Sequence, residues 1–177
     1  MRVLALAWGF LEATLFFIVP DVLLSLVGLK RPQHAFALSF LVLLGALAGG
    51  ALMYGWSVHD SAQALAWVER VPAIGPGLLD GVAVDLERQG PVATVWGAWR
   101  GVPYKAFAVQ APVVGVGPAG FLLVSIPARL LRFWAIIGLA RLVGGCLPSA
   151  WTRAGRLRFV LGIWAVFYAW YFWVMPW

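Results

Sequence analysis

Residues 35–57 run from Ala35 through a glycine-rich middle to Ser57 without one charged side chain. That matches the roughly 20 apolar residues an α-helix needs to cross the hydrocarbon core of a bilayer. Two further runs are comparable. Residues 159–177 carry no charge, and residues 118–142 carry none before Arg129. Across the chain 63% of residues are hydrophobic and 11% charged, against roughly 45–50% apolar and 25% charged in an ordinary soluble domain. A soluble domain of this size must still coat its exterior with polar groups, so lipid is the solvent that fits. The expected fold is an all-α, polytopic integral membrane protein.

Eleven tryptophans agree with this, because amphipathic aromatics collect at the two membrane–water interfaces. Trp164, Tyr168, Trp170, Tyr171, Trp173 and Trp177 read as such an anchor. A net charge of +6 would suggest nucleic acid in a soluble protein. Here the basic residues are scattered or flank apolar segments, so membrane orientation explains them and no nucleic-acid partner is expected. The single cysteine, Cys146, excludes an internal disulfide and a cysteine metal cluster, and reads as a packing residue near a helix end. No metal or cofactor is expected. The apolar stretch after Met1-Arg2 has no small-residue cleavage pattern before Glu12, so it reads as retained.

Two other apolar stretches are broken. Residues 3–29 contain Glu12, Pro20 and Asp21; residues 92–117 contain Arg100, Pro103, Lys105 and Pro112. A charge at the centre of a spanning helix costs about 2.5–3.5 kcal/mol on insertion scales. The alternative is a re-entrant hairpin, tolerated where protein shields it or where it lines a cavity. Between them, residues 58–91 are the one soluble-looking part. Asp60 with Gln63 reads as a helix N-cap opening a helix to about Val71, and Pro72, Gly75, Pro76 and Gly77 break the chain. A second amphipathic helix then shows Leu79, Val82, Ala83 and Leu86 on one face, with Asp80, Asp85, Glu87 and Arg88 elsewhere. Two placements stay open for this connector, along the membrane surface or in solvent.

With both broken segments as hairpins, Arg2, Lys30, Arg31, Arg153, Arg156 and Arg158 share one side, with no acidic residue. The other side holds Asp60, Glu69, Asp80, Asp85 and Glu87 against Arg70 and Arg88. The positive-inside rule then places the basic side in the cytoplasm and residues 58–91 outside it, as in a bacterial inner membrane. If both segments spanned fully, the bias would weaken only slightly. The layout is a single membrane domain of hairpin plus helix (1–57), connector (58–91), hairpin plus helix (92–146), then a basic loop and final helix (147–177). Hairpin and helix repeated from opposite faces make an inverted repeat, which transporters use to build a site near the midplane.

The stretch from Phe10 to Asp21, with Glu12, Pro20 and Asp21, resembles the opening of the DedA family, which carries the VTT (SNARE-associated Golgi protein) domain. Gly45-Ala46-Leu47-Ala48-Gly49-Gly50 with Tyr54-Gly55 is similar to that family's glycine-rich helix. Arg100-Gly101-Val102-Pro103-Tyr104-Lys105 is similar to its Arg-x-x-Pro followed by a basic residue. Phe121, Ser125-Ile126-Pro127-Ala128-Arg129 and Arg132-Phe133 fit its next helix. The match covers roughly residues 8–140, and Pro103-Tyr104-Lys105 resembles the small YqaA-like branch. The chain departs from the broader pattern in having Lys105 two residues after the proline rather than Arg three after it, and Ala at position 108. The resemblance implies a flippase or scramblase of phospholipids or lipid carriers, with protons as candidate coupling ions.

The candidate substrate- and ion-binding residues are Glu12, Asp21, Arg100, Lys105, Arg129 and Arg132. Glu12 and Asp21 lie nine apart, on opposed sides of any continuous helix, so a turn near Pro20 is needed to bring them to one cavity. They can accept a proton or pair with cations inside the protein. Arg100 and Lys105 flank Pro103 and can grip a lipid phosphate or pair with Glu12 or Asp21. Arg129 and Arg132 share a helix face, and Pro127 can bend that helix toward the centre. Arg141 and the 153–158 cluster read as orientation signals, while Gly45, Gly49 and Gly50 permit close helix packing. Pro20 and Pro103 read as structural.

Three functions compete. The first is lipid or lipid-carrier translocation, with membrane lipids as partners and a homo-oligomer open. The second is a structural or assembly factor that transports nothing. The third, an intramembrane lipid-modifying enzyme, has little support. Asp80-Gly81-Val82-Ala83 begins a phosphatidyltransferase motif, but Val84 replaces its arginine; no serine in a Gly-x-Ser-x-Gly frame partners His34 or His59.

Overall fold

The computed structural model describes residues 1–147 and 151–174, the side chain of Arg153 excepted. Trp177 of the expected aromatic anchor and the side chain of Arg153 thus lie outside the described residues. The described chain is helical, in the order α1 (Arg2–Thr14), α2 (Asp21–Gly28), α3 (Pro32–His59), α4 (Ser61–Val68), α5 (Pro76–Gln89), a 3-10 turn (Gly90–Val92), α6 (Ala93–Arg100), α7 (Tyr104–Val113), α8 (Pro118–Cys146) and α9 (Arg153–Val174). No strand occurs among the described residues. Two short helices followed by one long helix occur twice, as α1-α2-α3 and α6-α7-α8.

Three helices are long and apolar enough to cross a membrane: α3, α8, and α9 over Ala154–Val174. This is the fold of a membrane protein, and its exterior agrees. Val3, Leu123, Leu142, Val166 and Trp173 all stand well exposed, as lipid-facing side chains do. Against the expected limits of 35–57 and 118–142, α3 runs longer at both ends and α8 longer at its C-terminal end, and a proline starts each one. Pro32 and Pro118 occupy first-turn positions, where a missing N–H costs nothing.

The two broken stretches are indeed broken, near Pro20 and Pro103 as expected, and each proline starts the helix that follows the break. The first opens over residues 15–20, ahead of Pro20, which is the N-cap of α2; Asp21 stands in that helix's first turn. The second opens at Gly101, whose left-handed φ of 81° ends α6, and restarts after Pro103, the N-cap of α7. Pro112 sits inside the last turn of α7, and Pro127 inside α8.

The connector folds over the bundle. Asp60 caps α4 by accepting from the Gln63 N–H at 2.9 Å, although the helix ends at Val68 rather than Val71. Leu79, Val82 and Leu86 of α5 are buried as their spacing predicted. They pack toward α7, where Gln110 Nε2 donates to the Leu79 carbonyl at 3.1 Å. The connector therefore covers protein on its apolar face. Cys146 is the last residue of α8, as expected of a helix end, yet it is exposed rather than packed.

The tightest crossing joins α1 to α3. Ala5, Gly9 and Ala13 recur every four residues on α1 and are buried against Val42, Gly45, Ala46 and Gly49 of α3. A Cβ on Gly9 would lie 2.1 Å from the Val42 carbonyl oxygen, and one on Gly45 would lie 2.0 Å from that of Leu6. Both neighbours are backbone and cannot rotate away. In lipid, helices gain little by hiding apolar surface from one another, so this backbone approach supplies the packing energy. Gly45→Val and Gly9→Val should each destabilise the detergent-solubilised protein by about 1–3 kcal/mol or more. Gly55→Ala, with open space around its Cβ, should leave the thermal midpoint within a degree or so. A thermal unfolding series on the three variants checks this.

Candidate functional site

Glu12 sits in the last full turn of α1, and the chain leaves helical geometry three residues later. Thr14 closes that end, its hydroxyl donating to the Phe10 and Leu11 carbonyls at 3.0 and 3.1 Å. The irregular backbone that follows is satisfied by side chains from elsewhere. Trp8 Nε1 donates to the Ile18 carbonyl at 2.9 Å, and the Val19 N–H donates to the Tyr168 hydroxyl at 2.9 Å. Lys105 Nζ donates to the Phe16 carbonyl at 3.2 Å. Non-helical backbone in apolar surroundings is tolerated only when its polar groups find such partners.

The break turns Glu12 and Asp21 toward α8. Arg129 and Arg132, one helical turn apart, meet them in register. Arg129 Nη2 donates to Glu12 Oε2, and Arg132 Nη2 lies 2.5 Å from Asp21 Oδ2. Both carboxylates and Arg129 are about 5% exposed, so these are buried ion pairs in the strict sense, with Arg132 slightly more open. Burying ions costs several kcal/mol each, which the pairing offsets without guaranteeing a net gain.

Arg129 has a second layer of support. Its guanidinium lies 4.5 Å from the Tyr104 ring centre and 5.4 Å from that of Phe133, a contact that stabilises a desolvated cation by about 2 kcal/mol or more. Tyr104 is held in turn: its hydroxyl donates to Ser125 Oγ at 3.0 Å, and Ser125 donates to the Phe121 carbonyl at 2.7 Å. Tyr104 also stacks on Phe121. Gly50 of α3 makes room for it, since a Cβ there would lie 2.5 Å from the Tyr104 hydroxyl.

Glu12, Asp21, Tyr104, Lys105, Arg129 and Arg132 line a cavity of about 580 Å³ with otherwise mostly apolar walls from α2, α6, α8 and α9. Of the six residues singled out from the sequence, Glu12, Asp21, Lys105, Arg129 and Arg132 are brought together in it. Arg100 reaches only its rim. Gly101 ends α6 directly after Arg100, whose half-exposed guanidinium pairs with Asp85 of α5 at 2.6 Å. Of the two roles open to Arg100 and Lys105, an ion pair with Glu12 or Asp21 is not formed. The carboxylates pair with the α8 arginines, and Arg100 with the connector. Lys105 is almost fully buried and makes no ion pair among the described residues. Among those residues no group of three His, Cys, Asp or Glu could hold a metal ion.

Three further contributors have no clear signal in the residue pattern. Tyr104 was visible only as part of the Pro-Tyr-Lys motif. Trp164 and Tyr168 read as interfacial anchors, yet Trp164 Nε1 donates to Ser25 Oγ at 2.9 Å and Tyr168 holds Val19. Their spacing of four on one face of α9 was the available signal. Arg141 is exposed, as an orientation signal should be.

No family model matches the chain, and no solved structure matches it. It is similar to a protein of Haemophilus influenzae described as uncharacterized, with 30% identity over 134 residues that cover 75% of this chain and 68% of that protein.

Removing one member of a buried pair strands the other. Arg129→Gln should cost about 3–5 kcal/mol of unfolding free energy. Adding Glu12→Gln to it should restore part of that loss, giving a coupling energy that a double-mutant cycle by denaturant or thermal unfolding measures. Arg100→Ala, which removes an exposed pair, should cost no more than about 1 kcal/mol.

Proposed function

The chain belongs to the same family as this Haemophilus influenzae protein, and we propose that it moves phosphate-bearing lipids or lipid carriers across a membrane. The observation that carries the reading is the cavity in which Lys105, Arg129 and Arg132 face only two carboxylates, Glu12 and Asp21. The formal charge of that set is one positive, at a depth where an uncompensated charge is costly. An anionic headgroup entering the cavity would neutralise it. Arginine and lysine are the donors that phosphate oxygens take, arginine through its two-pronged fork.

The resemblance to the DedA/VTT family supports the same reading. On this view α1-α2 and α6-α7 are re-entrant hairpins, inverted with respect to each other, and the buried pairs sit near the midplane. The basic loops then lie on the cytoplasmic side of a bacterial inner membrane and the connector outside. The ion pairs act as a closed state: a phosphate that competes for Arg129 or Arg132 frees Glu12 or Asp21, and a freed carboxylate can take up a proton. Lipid movement would in this way be linked to proton movement.

Purified protein in vesicles carrying a headgroup-labelled anionic phospholipid tests this, with a membrane-impermeant quencher reporting each lipid that reaches the outer leaflet. The wild type should speed exchange. Lys105→Met, which leaves both ion pairs intact, should slow it by about tenfold or more, the worth of one charge-assisted hydrogen bond. Glu12→Gln should also slow exchange and remove its response to a pH difference across the vesicle. Wild-type protein that leaves exchange at the rate of empty vesicles would favour the structural or assembly role instead.

A further inference from the structure

The cavity does not end at its charges. From Arg132 an apolar stripe continues along one face of α8 through Ile136, Leu139 and Val143. These positions follow the 3.6-residue period and cover about 16 Å at 1.5 Å per residue. Opposite runs a matching stripe on α9, from Val160 through Ile163 and Phe167 to Tyr171. Both helices pack on α2 but meet each other little, so a slot remains between them. Its walls are left open: Leu139 is 56% and Ile163 48% exposed. The slot is about half as long as the roughly 30 Å hydrocarbon core, which is the reach of one lipid chain in one leaflet.

The charged end of the slot is built to hold an anion. Arg129 is buried, and its Nε has no hydrogen-bond partner among the described residues. Lys105, also buried at this end, has only the Phe16 carbonyl. Tyr168 and Tyr171 of α9 line the cavity where the slot meets the charges.

We propose that the slot between α8 and α9 is the hydrocarbon-chain site of an anionic phospholipid, whose phosphate lies against Lys105 and Arg129. This rests on the reading that the cavity takes a phosphate-bearing lipid, though not on that lipid being translocated. Charge complementarity selects the headgroup, and the continuous apolar stripe places the chain. The groove thus discriminates a lipid phosphate from a free one, because only the lipid gains by filling it.

Photolabelling in vesicles tests the assignment. The full-length protein is reconstituted in phosphatidylcholine with a small fraction of phosphatidylglycerol bearing a diazirine at its chain end. Phosphatidylcholine with the same chain is the reference probe, and peptide mass spectrometry maps the adducts. Phosphatidylglycerol should label Leu139 and Ile163 about tenfold more than the reference probe does. Outward-facing Leu131 and Val166 should take both probes equally. Lys105→Met should abolish the preference, and Ala135→Trp, which fills the slot from an exposed wall position, should remove slot labelling without unfolding the protein. Excess inorganic phosphate should leave the pattern unchanged. Equal labelling by both probes, or labelling indifferent to both variants, would overturn the assignment, and so would displacement by inorganic phosphate. Preferential slot labelling by a protein that does not speed lipid exchange would uphold this site while ending the transport reading.

Discussion

The ion pair between Glu12 and Arg129 joins residues 117 positions apart and ties the first broken stretch to the second long helix. Removing either partner would leave the other as an uncompensated buried charge, which is strongly destabilising. Each must therefore be delivered to the other by the packing around it. Asp21 and Arg132 repeat the arrangement one turn away. The two pairs fix the register of α1 and α2 against α8, and that register aligns the remaining polar groups.

Much of the surrounding structure serves to bring those groups together. Small residues on α1 and α3 allow a backbone approach that holds the end of α1 steady. The break at residues 15–20 is possible because Trp8, Lys105 and Tyr168 complete its hydrogen bonds from three different helices. Tyr104, seated over Gly50, gives Arg129 an aromatic face on one side while Glu12 holds it on the other. Removing any of these would leave a polar group unsatisfied in apolar surroundings, so the site and the fold are stabilised by the same contacts. Lys105 stands apart. It is buried and bonded only to a backbone carbonyl, and so is the residue whose presence folding explains least.

Much of this was legible in the residues themselves. Long apolar runs marked α3, α8 and α9, because a bilayer admits little else at that length. Proline and charge together marked the two broken stretches, and Asp60 with Gln63 marked a cap that forms as expected. Five of the six candidate site residues meet in one cavity. The exact breaks were not legible, because Pro20 and Pro103 fit the first residues of a new helix as well as they fit a kink. Nor was the choice of partners. Charge alone allowed Arg100 or Lys105 to answer the carboxylates, whereas Arg129 and Arg132 are the ones that do and Arg100 pairs with Asp85.

By itself, then, the sequence determined that this chain is a helical membrane protein and that its few embedded charges are its unusual feature. Composition and run length decide that much, since they fix the solvent each segment can tolerate. Which acid meets which base was left to tertiary structure, as was the irregular backbone that Lys105 and Tyr168 support, and the slot between α8 and α9. Those depend on the relative placement of helices distant in sequence. A buried charge is stabilised by whatever lies within a few ångströms of it, and no local pattern encodes that.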